Sequence, residues 1–123
     1  MSNNNSQMVK IGLVVILVAL PLIFLLYKTA DYWKSGPSFS DYINQSVSYI
    51  NSNQPEKAIE PLQKAIKIEP KSAVAYNNLG VAYNLIKRYD DGIAACRKAV
   101  ELDPNFQLAK NNLNWGLSEK KKL

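Results

Sequence analysis

Asp90 and Asp91 are the only adjacent carboxylates in the 123-residue chain, Cys96 is its single thiol, and there is no histidine. Paired carboxylates divide acid and base work only when they face each other across a site. Successive residues on a helix point apart, so Asp90-Asp91 reads as the acidic first turn of a helix, where negative charge suits the dipole. The lack of histidine removes imidazole bases, His-ligated metals and Ser-His-Asp triads. One cysteine forms neither an intrachain disulfide nor a thiolate zinc site, and Cys96 is expected to be structural. The sequence contains no Gly-rich phosphate loop, no metal-ligand spacing and no nucleophile–base pair. No catalytic, cofactor-binding or metal-binding residue is predicted, and the chain is not expected to be an enzyme.

Charge points the same way. The net +5 comes from Lys10, Lys28, Lys34 and Asp31 around an apolar run and from Lys120, Lys121 and Lys122 at the tail. Residues 39–119 carry nine basic and nine acidic side chains. A nucleic-acid binder concentrates positive charge on a folded face, so no nucleic-acid partner is expected. The tail at 120–123 either is solvated or touches anionic headgroups.

Three segments frame the chain. Residues 1–8 are rich in Asn and Ser and read as a disordered tail. Ile11 to Tyr27 holds no charged residue. Counted with Val9 and a snorkelling Lys10, it forms a helix of roughly 25–28 Å, near the ~30 Å hydrocarbon core. A single transmembrane helix is therefore predicted over 9–28, with Pro21 kinking it and Tyr27, Tyr32 and Trp33 as an aromatic belt. A cleaved signal peptide fits less well: the run is long, and charged Lys28 sits two residues before Ala30. Residues 29–38 form a juxtamembrane segment ending in a Gly36-Pro37 breaker. Flanking lysines nearly balance, so orientation is undetermined by charge. In a bacterial cell a short inner tail with the domain outside the cytoplasm is the commoner arrangement.

From Phe39 the chain repeats with a period of 34. Tyr42, Asn44, Val47 and Tyr49 recur as Tyr76, Asn78, Val81 and Tyr83; Ile59, Lys64, Ala65 and Pro70 recur as Ile93, Lys98, Ala99 and Pro104. A fixed period of this length marks a solenoid. Apolar stripes predict helices at 39–52, 56–69, 73–86, 90–102 and 106–119. Pro70 and Pro104 end the second helix of each pair, Ser72 and Asn105 supply turn and cap chemistry, and Pro61 should bend its helix or shift its start. Asn44-Gln45-Ser46 matches a glycosylation sequon but falls inside a helix, so it reads as chance.

The second copy resembles a tetratricopeptide repeat, placing Tyr76, Leu79, Gly80, Tyr83, Tyr89, Gly92, Cys96, Ala99 and Pro104 at the family's signature positions. The first copy supplies Tyr42, Tyr49, Ala58, Leu62, Ala65 and Pro70, but Gln45-Ser46 replaces Leu-Gly and Pro55 replaces Tyr. The resemblance implies an all-α fold: repeats at about 39–72 and 73–106, a terminal capping helix at 106–119, and a domain over 39–119. Three repeats are the usual minimum for stability. Two and a half imply help from a partner, a second copy or the membrane, so a homo-oligomer is one expectation.

Family members bind peptides or protein surfaces along the concave face lined by first helices. The resemblance puts Val47, Asn77, Asn78, Val81, Asn84, Asn111, Asn112 and Trp115 there. Asn amides offer both donor and acceptor to an extended peptide, and they equally serve to solvate a helix face. Trp115 reads either as a cap on the core or as an exposed anchor. One subtype clamps C-terminal carboxylates with Lys, Asn and Arg. Here those positions are Ile43, Val47, Asn78, Leu108 and Asn112, so only Asn78 fits. The implied function is a membrane-anchored protein-interaction module, an accessory, scaffold or assembly subunit of a membrane complex. The alternative is a receptor-type module that captures peptide or protein clients at a membrane.

Overall fold

A computed structural model describes residues 3–123, including all side chains in that range except those of residues 3, 4 and 31–34. The described residues form six helices and no strands: α1 (Asn3–Ser35), α2 (Phe39–Asn51), α3 (Pro55–Ile68), α4 (Ala73–Leu85), α5 (Tyr89–Leu102) and α6 (Gln107–Lys121). They divide into two units, Met1–Gly36 and Pro37–Leu123.

In the first unit α1 runs for 33 residues, about 50 Å at 1.5 Å per residue. It starts at Asn3, so the segment expected to be a loose tail through residue 8 is helical from there on. Within it, Asn5–Ala30 is long and apolar enough to cross a membrane, and none of that stretch is buried. Pro21 lies within the helix rather than ending it. Of the expected aromatic belt, Tyr27 is 70% exposed, whereas the side chains of Tyr32 and Trp33 lie outside the described residues.

The second unit begins with a strong helix start. Ser38 forms a capping box with Asp41: the Asp41 amide donates to Ser38 Oγ at 3.3 Å, and the Ser38 amide donates to the Asp41 carboxylate at 2.8 Å. The Ser38 amide, and the Ser38 hydroxyl donating to Asp41 Oδ2 at 2.7 Å, hold the Asp41 carboxyl below its ordinary range. Ser72 caps α4 in the same way, accepting from the Ala75 amide at 3.2 Å. Pro55 takes the first helical position of α3, where its missing N–H costs nothing. Pro61 sits inside α3, which still starts at Pro55, one residue before the predicted start.

The turns between paired helices are built twice. Asn53 and Lys87, 34 residues apart, both adopt positive φ, 58° and 64°. Around each the same two bonds close a Schellman motif. The Asn53 amide donates to Ile50 O and the Gln54 amide to Tyr49 O; the Lys87 amide donates to Asn84 O and the Arg88 amide to Tyr83 O.

Each helix packs on the next along the chain from α2 to α6. In addition α2 meets α4 and α4 meets α6, while α3 and α5 do not touch among the described residues. First helices therefore close up on the inner side of the curve and second helices splay on the outer side, which makes the exposed face of α2, α4 and α6 the concave one. Ala58, Leu62, Leu79, Ala82 and Ala95 form the core, with Ile43, Tyr49, Ile50, Ile59, Ile66 and Tyr83 packed against it. Helices approach closely where side chains are small: a methyl added at Gly80 would meet the Cys96 thiol and sit 3.0 Å from the Gly92 carbonyl. Cys96 is fully buried there, and burial pushes its thiol up to about 11, so it stays protonated and inert at neutral pH.

Candidate protein-binding face

The inner face carries two rows at the 34-residue register. Asn44, Asn78 and Asn112 occupy one position on successive first helices. Val47, Val81 and Trp115 lie three residues further on, one turn along the same side. Val47 is 39% exposed and Trp115 37%; Val81 is half-buried. Val74, Leu85 and Leu108 add exposed apolar area on α4 and α6. These side chains lie on one side of a small domain. The inward stripes of these helices, Ser40 to Asn51, Val74 to Leu85 and Leu108 to Trp115, place no charged residue at these positions.

The structure sorts the predicted site residues into two sets. Asn78, Asn111 and Asn112 keep part of their surface, as do Val47, Val81 and Trp115. Asn77 and Asn84, expected on the open face, are instead 2% and 1% exposed. The reason is the arrival of α6, which packs over that side of α4. Asn112 Nδ2 donates to Asn77 Oδ1 at 2.9 Å, and Asn77 Nδ2 donates to Asn78 Oδ1 at 3.3 Å. Asn84 Nδ2 donates to the Asn112 carbonyl at 3.4 Å. Its Oδ1 is buried with no hydrogen-bond partner, wedged where Gly92 of α5 and Gly116 of α6 present no Cβ. A sequence signal for this burial existed. The first-copy equivalents of Asn77 and Asn84 are Ile43 and Ile50, which are packing residues.

Away from this face, charges pair locally. Arg88 bonds Asp91 at 2.7 Å and stacks 4.7 Å from the Tyr83 ring. Lys64 pairs with Glu60 at 2.7 Å, which lowers the Glu60 carboxyl and raises the Lys64 ammonium. In the tail, Lys120 pairs with Asp90 and Lys122 with Glu119, so two of the three terminal lysines already have carboxylate partners. Asp90 and Asp91 thus serve in separate ion pairs, one across to Lys120 of α6 and one to Arg88 at the N-cap of α5.

A curved stack of helical hairpins with an apolar, amide-lined inner face defines an α-solenoid of the protein-binding class. Residues 73–106 match the model of the tetratricopeptide repeat, and residues 48–87 match a model of the TPR repeat. Residues 48–106 of this chain are tetratricopeptide repeats. Among curated proteins none matches the sequence. Among solved structures, the second TPR of Spaghetti (RPAP3), bound to the HSP90 peptide SRMEEVD, is similar at 19% identity with a TM-score of 0.66, over 76% of this chain and 86% of that one. The TPR2B domain of yeast Sti1, in complex with pHsp70, is 25% identical over 68% of this chain and 67% of that one, with a TM-score of 0.66. MamA from Desulfovibrio magneticus RS-1, from residue 41 to its end, is 21% identical over 98% of this chain and 68% of that one, with a TM-score of 0.67.

Proposed function

We propose that this chain is a membrane-anchored protein-interaction module, an accessory, scaffold or assembly subunit of a membrane protein complex, and not an enzyme. The observation that carries this reading is the row Val47, Val81 and Trp115 across three first helices, flanked by exposed Val74, Leu85 and Leu108. Recognition works by shape, apolar burial and amide hydrogen bonds on a preformed surface, which spares the partner site most ordering cost. Trp115, large and rigid, is its anchor. The anchor helix supplies the membrane location: Asn5–Ala30 spans and the tetratricopeptide domain follows a three-residue link at 36–38.

The HSP90 peptide SRMEEVD held by Spaghetti is not the expected kind of ligand. The clamp positions here are Ile43, Val47, Asn78, Leu108 and Asn112, with no cation to meet a carboxylate. A receptor that captures passing clients is the second reading, favoured by the openness of the face. The two differ in lifetime: a subunit stays bound through purification, a client exchanges.

Photo-cross-linking in native membranes tests the reading. A cross-linker at Val47 or Trp115 should trap one or a few defined membrane-complex proteins, identified by mass spectrometry. The same cross-linker at Ala94, exposed on the second-helix side, should trap none of them. Equal trapping from both sides would end the assignment of this face.

A further inference from the structure

Consecutive helices of the second unit run in opposite directions, so the starts of α2, α4 and α6 share one end with the finishes of α3 and α5. Side chains at the 34-residue register change steadily across that end. Ser38 and Ser72 cap α2 and α4 with their hydroxyls, whereas the third position is Phe106 and α6 has no side-chain cap bond. The exchange gives up a favourable bond at the start of α6. Two residues further on, Ser40 is followed by Val74 and then by Leu108, all three exposed. Ile68, the last residue of α3, adds another exposed apolar side chain at the same end.

Lys67, Lys71 and Lys110 belong to this end, and among the described residues none of them has an ion pair. Glu69 and Asp103 stand against them, so the net charge is slight and apolar contact carries any docking. Lysine stems lie along apolar surface while the ammonium stays in water. An aromatic, exposed apolar side chains and snorkelling lysines together suit a surface that settles among lipid headgroups.

The tether arrives at the same end. Gly36 to Ser38 alone join α1 to α2, and three residues reach about 11 Å at most. A short link keeps the effective concentration of the second contact high, so a small patch suffices. Resting on the membrane-anchored reading above, we propose that this end of the helical domain docks on the lipid bilayer through Val74, Leu108, Phe106 and Ile68. Val47, Val81 and Trp115, farther along their helices, stay open to a protein partner.

The test uses the full chain in lipid nanodiscs, with an environment-sensitive fluorophore on a single introduced cysteine. Ser40→Cys, Val74→Cys and Leu108→Cys sample the row, and Leu85→Cys samples the far end of α4, about 17 Å along the helix. Buried Cys96, protonated at neutral pH, stays unlabelled. Quenching by lipids carrying a nitroxide below the headgroup reports contact. The row steps away from the link, so a domain that only dangles gives quenching that falls from 40 to 74 to 108. Docking gives quenching at 108 no weaker than at 40, blue-shifted emission at 74 and 108, and neither at 85. The pattern should persist in zwitterionic lipid and at high salt. Leu108→Asp should remove the quenching at 74 with helicity unchanged. Lys71→Cys replaces any labelled chain that does not fold.

Quenching that falls along the row, or that is as strong at 85 as at 108, overturns the docking and leaves the anchor standing. A pattern confined to anionic lipid overturns the apolar contact. Labels at 74 and 108 that stay in water return this patch to a protein partner and overturn the proposal. A chain that does not float with lipid in a density gradient overturns the anchor, and the docking with it.

Discussion

The two repeats share a register and differ in what covers them. At three equivalent places the second repeat has Ala75, Leu79 and Ala82, all buried, where the first has Asp41, Gln45 and Ser48, none of them buried. This is the side of each first helix that faces the preceding hairpin. The second repeat has one, because α2 and α3 both pack against α4. The first does not, and Gln45 in place of the family's leucine belongs to the polar outer face of a solenoid end, which solenoids need for solubility. Ser46 fills the glycine position without strain because its hydroxyl donates back to the Ile43 carbonyl at 2.7 Å. What looks like a degenerate repeat is a terminating one.

The sharpest way to break this comparison is to make the second repeat like the first at its helix crossing. Ala58 stands in the first repeat where Gly92 stands in the second. Gly92→Ala should destabilise the domain by about 3 kcal/mol, because the new methyl overlaps the buried Asn84 amide. Thermal unfolding of the single variant and of Gly92→Ala with Asn84→Ala would show a strong positive coupling, since the second change removes the obstruction.

Core and end positions should separate next. Leu62→Ala, at a fully buried site, should cost about 2–5 kcal/mol, whereas Gln45→Leu on the open end should change stability by no more than about 0.5 kcal/mol. Denaturant melts followed by circular dichroism check both. A cost at Gln45 comparable to that at Leu62 would mean the first repeat is covered.

The start of the first repeat depends on its cap. Ser38→Ala should cost about 1 kcal/mol. The folded Asp41 carboxyl is depressed, so its contribution is complete above the ordinary value of 3.8 and is lost as pH falls through the lower folded value. Helicity of the wild type should decline from about pH 4 downward. Asp41→Asn should lower stability at neutral pH and flatten the Asp41 part of that decline.

The smallest effect lies in the paired turns. Asn53 tolerates its left-handed backbone well, and Lys87 does so poorly. Lys87→Gly should therefore raise stability by about 0.5–1 kcal/mol, while Asn53→Gly should change it far less. The difference in melting temperature between these two variants is the readout.

Much of the domain was legible in the residues. The 34-residue period set the helix pairs within a residue or two, because apolar spacing, Ser72 and the two Pro-marked stops act locally. At the positions the register gives them, Val47, Asn111 and Trp115 are exposed and Asn78, Val81 and Asn112 half-buried. The burial of Asn77 and Asn84 was not legible, since a first-helix stripe looks the same whether or not a neighbour covers its edge. Nor was the polar substitution at Gln45 recognisable as an end face until the stacking order was known.

Period and apolar spacing alone indicated stacked helical pairs from residue 39 onward, preceded by a helix apolar enough for a membrane. Those properties follow from local propensity and from residue types, which no packing changes. The division of the asparagines into a buried relay and an open pair was decided by the tertiary structure. It depends on where α6 crosses α4 and on two glycines, Gly92 and Gly116, that let three helices meet around one side chain.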